Sequence, residues 1–242
     1  MNIELIDQTY DYQNTSLIDL VPQNEWFDFF KSQEKELNEI NNYLKNEFND
    51  EKQIFPMIEN VFRIFYMLPP SKIKCVILGL SPYDSIDKKT NLNNATGIAF
   101  SIPKKRKLNP SVRNILKEIN ECKFKVDMKD GNLEKLVKQG VFLYNVSLTV
   151  LKGKPSSHIK LYDRFTRNVM EYLDKLDIPF LLWGNIAQVY KKNITSSIIE
   201  CSHPSPFSNT KTSSPFTGSK CFSKANKILK KKGKEEINWN TV

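Results

Sequence analysis

At 242 residues, 40% of them hydrophobic, the chain has the length for one large domain or two small ones and enough apolar content for a sizeable core. Lysine and arginine outnumber the acids to give a net charge of +9, which points to a polyanionic partner, nucleic acid first. Four scattered cysteines (Cys75, Cys122, Cys201, Cys221) without a C-x-x-C pair, only two histidines, and no apolar run of bilayer length argue against a zinc, iron–sulfur or membrane protein.

In chain order, Met1–Gln13 carries acids and no apolar stretch, so it does not read as a secretory signal. The expectation is an intracellular protein, cytoplasmic or nuclear, with reduced thiols and no metal or organic cofactor. Residues 1–23 read as an N-terminal arm lying on a single domain of residues 24–242. Asn24 is placed to cap a helix that carries Trp26, Phe27 and Phe30 and continues through Leu37, Ile40 and Leu44. A second helix, over 57–67, buries Val61, Phe62, Phe65 and Tyr66 and stops at Pro69-Pro70. Cys75–Leu78 is a β-branched apolar run too short for a helix, hence a buried strand. Gly79 ends it, and Pro82 holds Ser81 extended and forces a turn that presents Ser81, Tyr83 and Asp84 together.

Residues 85–96 form a polar loop without periodicity, and 97–101 a short extended piece. The basic cluster 104–107 leads into Asn109-Pro110, an N-cap and first helical residue, with Val112, Ile115, Leu116 and Ile119 on one face of the helix. Three more strands follow, 141–144, 178–183 and 198–201, ending at Asn145, at Gly184 and at His203-Pro-Ser-Pro-Phe207. The helix between the first two buries Phe165, Val169, Tyr172, Leu173 and Leu176, and a last helix over 222–232 stops at Gly233. Strands alternating with helices imply a three-layer α/β/α fold around a four-stranded, mainly parallel sheet.

In such sheets ligands bind beyond the carboxyl ends of the strands. Those ends offer a carboxamide, a histidine and aromatic rings, a set suited to a flat polar heterocycle. Asn145 can donate and accept in a pair, Phe100 can stack, and His203 can donate to an oxygen that gains charge as a bond breaks. Singly, each has a plainer reading: Asn145 as a turn former, Phe100 as core, His203 as a satisfied loop histidine.

Six collinear stretches resemble the family-1 uracil-DNA glycosylases, from about Trp26 to Trp239. They are Gly79-Leu-Ser-Pro-Tyr-Asp84 for G-Q-D-P-Y-H, Gly97-Ile-Ala-Phe-Ser101 for G-L-A-F-S, and Pro110-Ser-Val-Arg-Asn-Ile115 for P-S-L-x-N-I. Leu143-Tyr-Asn-Val-Ser-Leu-Thr-Val150 with Ser157-His158, Leu181–Gly184 and His203-Pro-Ser-Pro-Phe-Ser208 complete the set. The resemblance implies a glycosylase-like fold that flips uracil out of DNA, the only way to reach its glycosidic bond. It implies Leu80, Tyr83, Phe100 and Asn145 around the base, with Tyr83 excluding thymine's methyl group and His203 facing the uracil O2. Phe207 takes the place of a leucine wedge, a role open to apolar side chains. Pro110, Ser111, Ser205, Pro206 and Ser208 fall in DNA-contacting stretches.

The sequence departs from the family's pattern at the opening motif. The aspartate that orients water and faces the developing sugar cation is Ser81, and the closing histidine is Asp84, which is the candidate to turn a carboxylate inward. The loop 85–96 is longer than the family's and has Thr96 in place of a histidine. Lys191 and Lys192 stand where a Gly-Ser phosphate loop is expected. Three readings follow: a glycosylase attenuated by Ser81, a module that captures uracil in DNA without excising it, and a platform for a replication protein or a proteinaceous glycosylase inhibitor. In all three a monomer is the family expectation.

Overall fold

The computed structural model describes residues 12–49, 52–208, 210 and 212–242. The first eleven residues of the expected N-terminal arm lie outside these. The remainder of that stretch packs on the body of the protein: Leu17 is fully buried with its N–H bonded to Asn41 Oδ1, and the Tyr12 hydroxyl donates to Pro56 O at 2.8 Å.

Helices α1 (Phe27–Ser32) and α2 (Glu34–Asn49) replace the single helix expected here. The break is at Gln33, whose N–H turns back to Phe30 O while its own carbonyl starts the next turn at Leu37. Asn24 sits ahead of α1, its side chain accepting from the Trp26 N–H at 2.9 Å. Strand β1 (Ile54–Phe55) follows, then α3 (Arg63–Met67) and β2 (Cys75–Gly79). Tyr66, expected in the core, is 48% exposed, and Phe27 of the first helix is 41% exposed. Tyr66 lies along the surface with its hydroxyl on Leu20 O.

Helix α4 (Pro110–Glu121) begins at Pro110, with the Asn109 side chain capping the Ser111 N–H at 2.9 Å. Then come α5 (Glu134–Lys138), β3 (Val141–Asn145) and β4 (Val150–Leu151), which pairs antiparallel with β1. The remaining elements are α6 (Ile159–Asp174), β5 (Phe180–Trp183), α7 (Asn185–Gln188), β6 (Ile198–Cys201) and α8 (Cys221–Lys231).

The central sheet has the order β3-β2-β5-β6, every pairing parallel. All residues of β2, β3 and β5 are buried, as expected of strands covered on both faces, which is why they read in the sequence as unbroken apolar runs. Trp26 of the segment entering α1 and Phe65 of α3 pack on Phe142, with ring centroids 5.4 Å away in each case, and Phe222 of α8 packs on Trp183 at 5.9 Å. The register sets Gly79 opposite Asn145 and Trp183 opposite Cys201, so the strands end nearly level. Among the described residues no helix is long and apolar enough to cross a membrane.

Candidate active site

Where β2 ends, the chain leaves the sheet still tied to its neighbour: Val146 N–H bonds Gly79 O at 3.0 Å and Ser147 N–H bonds Leu80 O at 3.2 Å. Glycine is required at position 79 because a Cβ there would collide with Asn145 Oδ1 and lie 2.8 Å from Ala99 Cβ. The Asn145 carboxamide and the Phe100 ring both lean on that bare backbone. Asn145 is only 7% exposed, yet no group among the described residues hydrogen-bonds its side chain. The carboxamide is thus available at the end of β3 to exchange hydrogen bonds.

Phe100 is not in the extended piece expected over 97–101. It sits in a turn with φ +63°, a conformation costly for a bulky side chain. Two bonds hold it there: Ala99 N–H to Leu143 O at 3.0 Å, and the Tyr83 hydroxyl to Phe100 O at 2.9 Å. Burial pushes the Tyr83 phenol well above its ordinary pKa, so the hydroxyl stays protonated and keeps donating. Trp183 supports the Phe100 ring at 5.5 Å.

His203 also lies near Phe100, ring centroids 5.9 Å apart. Gly184, with φ +85°, admits it, since a Cβ at that position would stand 2.9 Å from His203 Cβ. The loop that carries His203 is laced to itself: Ser202 Oγ donates to Ser208 O at 2.7 Å and Ser208 Oγ to His203 O at 3.0 Å. The Ser205 N–H donates to His203 Nδ1 at 3.1 Å, which leaves Nδ1 as the acceptor and puts the proton of the neutral ring on Nε2. Burial lowers the imidazole pKa, so near neutral pH the ring is an uncharged Nε2–H donor.

Two hollows flank this junction. One, lined by Ser81, Tyr83, Phe100 and Asn145, is narrow, about 10 Å³, with room for roughly one water molecule. The other, about 390 Å³, is lined by Gly79, Leu80, Gly184, His203 and Ser208. Among the described residues no carboxylate lines either of them.

The uracil DNA glycosylase superfamily model matches residues 65–230. The chain belongs to the uracil-DNA glycosylase superfamily. A uracil-DNA glycosylase of Mycoplasmopsis pulmonis is 39% identical over 232 residues, covering 90% of this chain and 98% of that protein. One from Borreliella burgdorferi is 40% identical over 204 residues, covering 81% and 87%. The crystal structure of mimivirus uracil-DNA glycosylase superposes with a TM-score of 0.89 at 28% identity, covering 96% of this chain and 91% of that one; a Y322L variant of the mimivirus enzyme has been solved in complex with UGI.

Within this glycosylase fold Ser81, Tyr83, Phe100 and Asn145 line the narrow hollow and Leu80 and His203 the wider one, with the Phe100 and His203 rings 5.9 Å apart between them. Asp84 does not join them: it is absent from the lining of the narrow hollow, and its carbonyl accepts from the Gly153 N–H at 2.9 Å. Phe207 stands in the open beside His203, 91% exposed, flanked by exposed Pro206 and half-buried Ser205. Lys191 is engaged in an ion pair with Glu200 at 3.1 Å, while Lys192 is exposed. Sequence reasoning gave no role to Asn114, whose Nδ2 donates to Pro204 O at 2.8 Å and ties α4 to the His203 loop. Its signal was present, since it belongs to the Pro110–Ile115 stretch. His158, the second histidine, is structural: fully buried, it meets Thr149 Oγ1 through Nδ1 at 2.8 Å, and burial lowers its pKa to about 4.

Proposed function

We propose that this protein hydrolyses the N-glycosidic bond of deoxyuridine extruded from DNA, at a rate lowered by Ser81. The observation that carries this reading is the meeting of Phe100, an unpartnered Asn145 carboxamide and an Nε2-protonated His203 at the level ends of the parallel sheet. Asn145 is placed to exchange hydrogen bonds with the imide edge of uracil, and Phe100 to stack on its face. Tyr83, anchored on Phe100 O, supplies the bulk that rejects the thymine methyl group. As the bond to the sugar breaks, the base gathers negative charge on O2, and a neutral Nε2–H aimed at that oxygen stabilises the transition state more than the ground state. The roughly one-water volume of the narrow hollow means that its walls part to admit the ring. Exposed Phe207 is the wedge that fills the space left in the stack.

On the sugar side the chain offers a hydroxyl where the family motif has a carboxylate. Ser81 can orient water but does not oppose the positive charge developing on the sugar. A unit charge about 4 Å away is worth roughly 4 kcal/mol at an effective dielectric near 20, about a thousandfold in rate. The lack of any carboxylate among the described residues of the lining also favours a second reading, capture of uracil in DNA without excision, because recognition alone gives affinity without turnover.

A single-turnover assay on uracil-containing single-stranded DNA separates the two. Abasic product from uracil but not from thymine DNA is the expected result. Uracil-dependent retention with no product supports capture, and equal retention of uracil and thymine DNA overturns both.

A further inference from the structure

The long loop after the Ser81–Asp84 turn is a folded object. It doubles back through an Ile86–Asn93 bridge, with Asp87 N–H on Leu92 O at 2.8 Å and Asn91 N–H on Asp87 O at 2.9 Å. The Asp87 carboxylate organises its tip, accepting from the N–H groups of Lys89 and Thr90 at 3.0 Å each and from the Thr90 hydroxyl at 3.1 Å. It also latches the loop to a distant segment through Arg106, whose side chain is 8% exposed and lies 2.8 Å away. The latch opens a groove of about 990 Å³ between the loop and the segment that leads into α4.

The charge of this groove is one-sided. Lys88, Lys89, Lys105, Arg106, Lys107 and Arg113 line it against one carboxylate, Asp87, which Arg106 already neutralises. The other five cations are exposed. The groove lies next to the candidate active site, since Tyr83 lines both it and the narrow hollow beside Phe100 and Asn145.

We infer that this groove is a binding track for the sugar-phosphate backbone of the strand that carries the extruded base, taking phosphates on one side of that nucleotide. The inference rests on the uracil-DNA reading above and adds a second wall, built by the 85–94 loop, to the surface that grips DNA. Lysines that meet phosphates release counterions, so the track contributes affinity that falls with salt and grows with strand length.

The test is fluorescence anisotropy with the full chain and single-stranded oligonucleotides carrying 2′-fluorinated deoxyuridine, whose fluorine slows cleavage. A short oligonucleotide is compared with ones extended to the 5′ or the 3′ side, at stepped salt. For the longer oligonucleotide on one side, Lys88→Ala/Lys89→Ala is expected to weaken binding roughly tenfold at physiological salt and to lower the log–log salt slope by about 1.4, the single-strand value for two contacts. Lys105→Ala/Lys107→Ala, on the facing wall, is expected to do the same on the same side. Thermal midpoints verify that both variants fold. Wild-type affinities and slopes in both variants overturn the track, as does a loss that is equal for short and long strands. If the wild type does not prefer the short uracil oligonucleotide to its thymine counterpart, it is the glycosylase reading that fails.

Discussion

The loops that follow β2 and β6 face each other across the candidate site, and they differ in kind. The β6 loop carries His203, to which the proposed function gives the leaving-group side. Its serines lace it to itself, Asn114 tethers it to α4, and the Ser205 N–H selects the His203 tautomer that donates from Nε2. The β2 loop is equally well anchored, through Leu80 O to Ser147 and Tyr83 to Phe100, and the residue it adds to the narrow hollow, on the side the proposed function gives to the sugar, is Ser81, a hydroxyl. In the proposed function good backbone positioning and full electrostatic equipment are therefore separable: one half of the site has both, the other only the first.

The largest expected effect attacks the better half. His203→Ala is expected to lower single-turnover excision by roughly a hundred- to a thousandfold, the cost of removing one preorganised donor to a developing oxyanion. A loss below about threefold would mean that the β6 loop does not carry the leaving-group chemistry.

The pH profile sharpens the contrast. With no carboxylate among the described residues of the lining, the acid limb of kcat/KM is expected to report a single ionisation, that of His203. Burial lowers this pKa, so the neutral ring persists down to a midpoint below the ordinary 6.5, and activity falls as pH drops through it. Protonation of Nδ1 there removes the acceptor for the Ser205 N–H. The limb is expected to vanish in His203→Asn; its survival would assign it to another group.

The smallest effect tests the weaker half. Asp84→Ala is expected to change excision by less than about threefold, since Asp84 stays outside the hollow. An abolished activity would show that its carboxylate swings inward during turnover.

Much of this was legible in the sequence, for reasons that can be named. Strands buried on both faces leave short β-branched apolar runs, and their terminal residues, Gly79, Asn145, Gly184 and His203, could be read as one crevice once the sheet was taken as parallel. Asn109-Pro110 announced α4 because a cap and a fixed φ act locally. What stayed hidden was set by tertiary contacts. Ile98-Ala99-Phe100 looks extended, but Tyr83 and Leu143 hold Phe100 in a left-handed turn. The helix break at Gln33 has no proline or glycine to signal it. Phe27 and Tyr66 fit an apolar stripe and yet lie at its solvent edge. The loop 85–96 has no periodicity because its order comes from Asp87 reaching Arg106, a partner nineteen residues away.

The claim that the β2 loop lacks only charge is tested most directly by Ser81→Asp in single-turnover excision from uracil-containing single-stranded DNA. A carboxylate restored at that position is expected to raise the rate at least about tenfold over wild type. An unchanged or lower rate, in a variant that still binds uracil DNA as the wild type does, would contradict it.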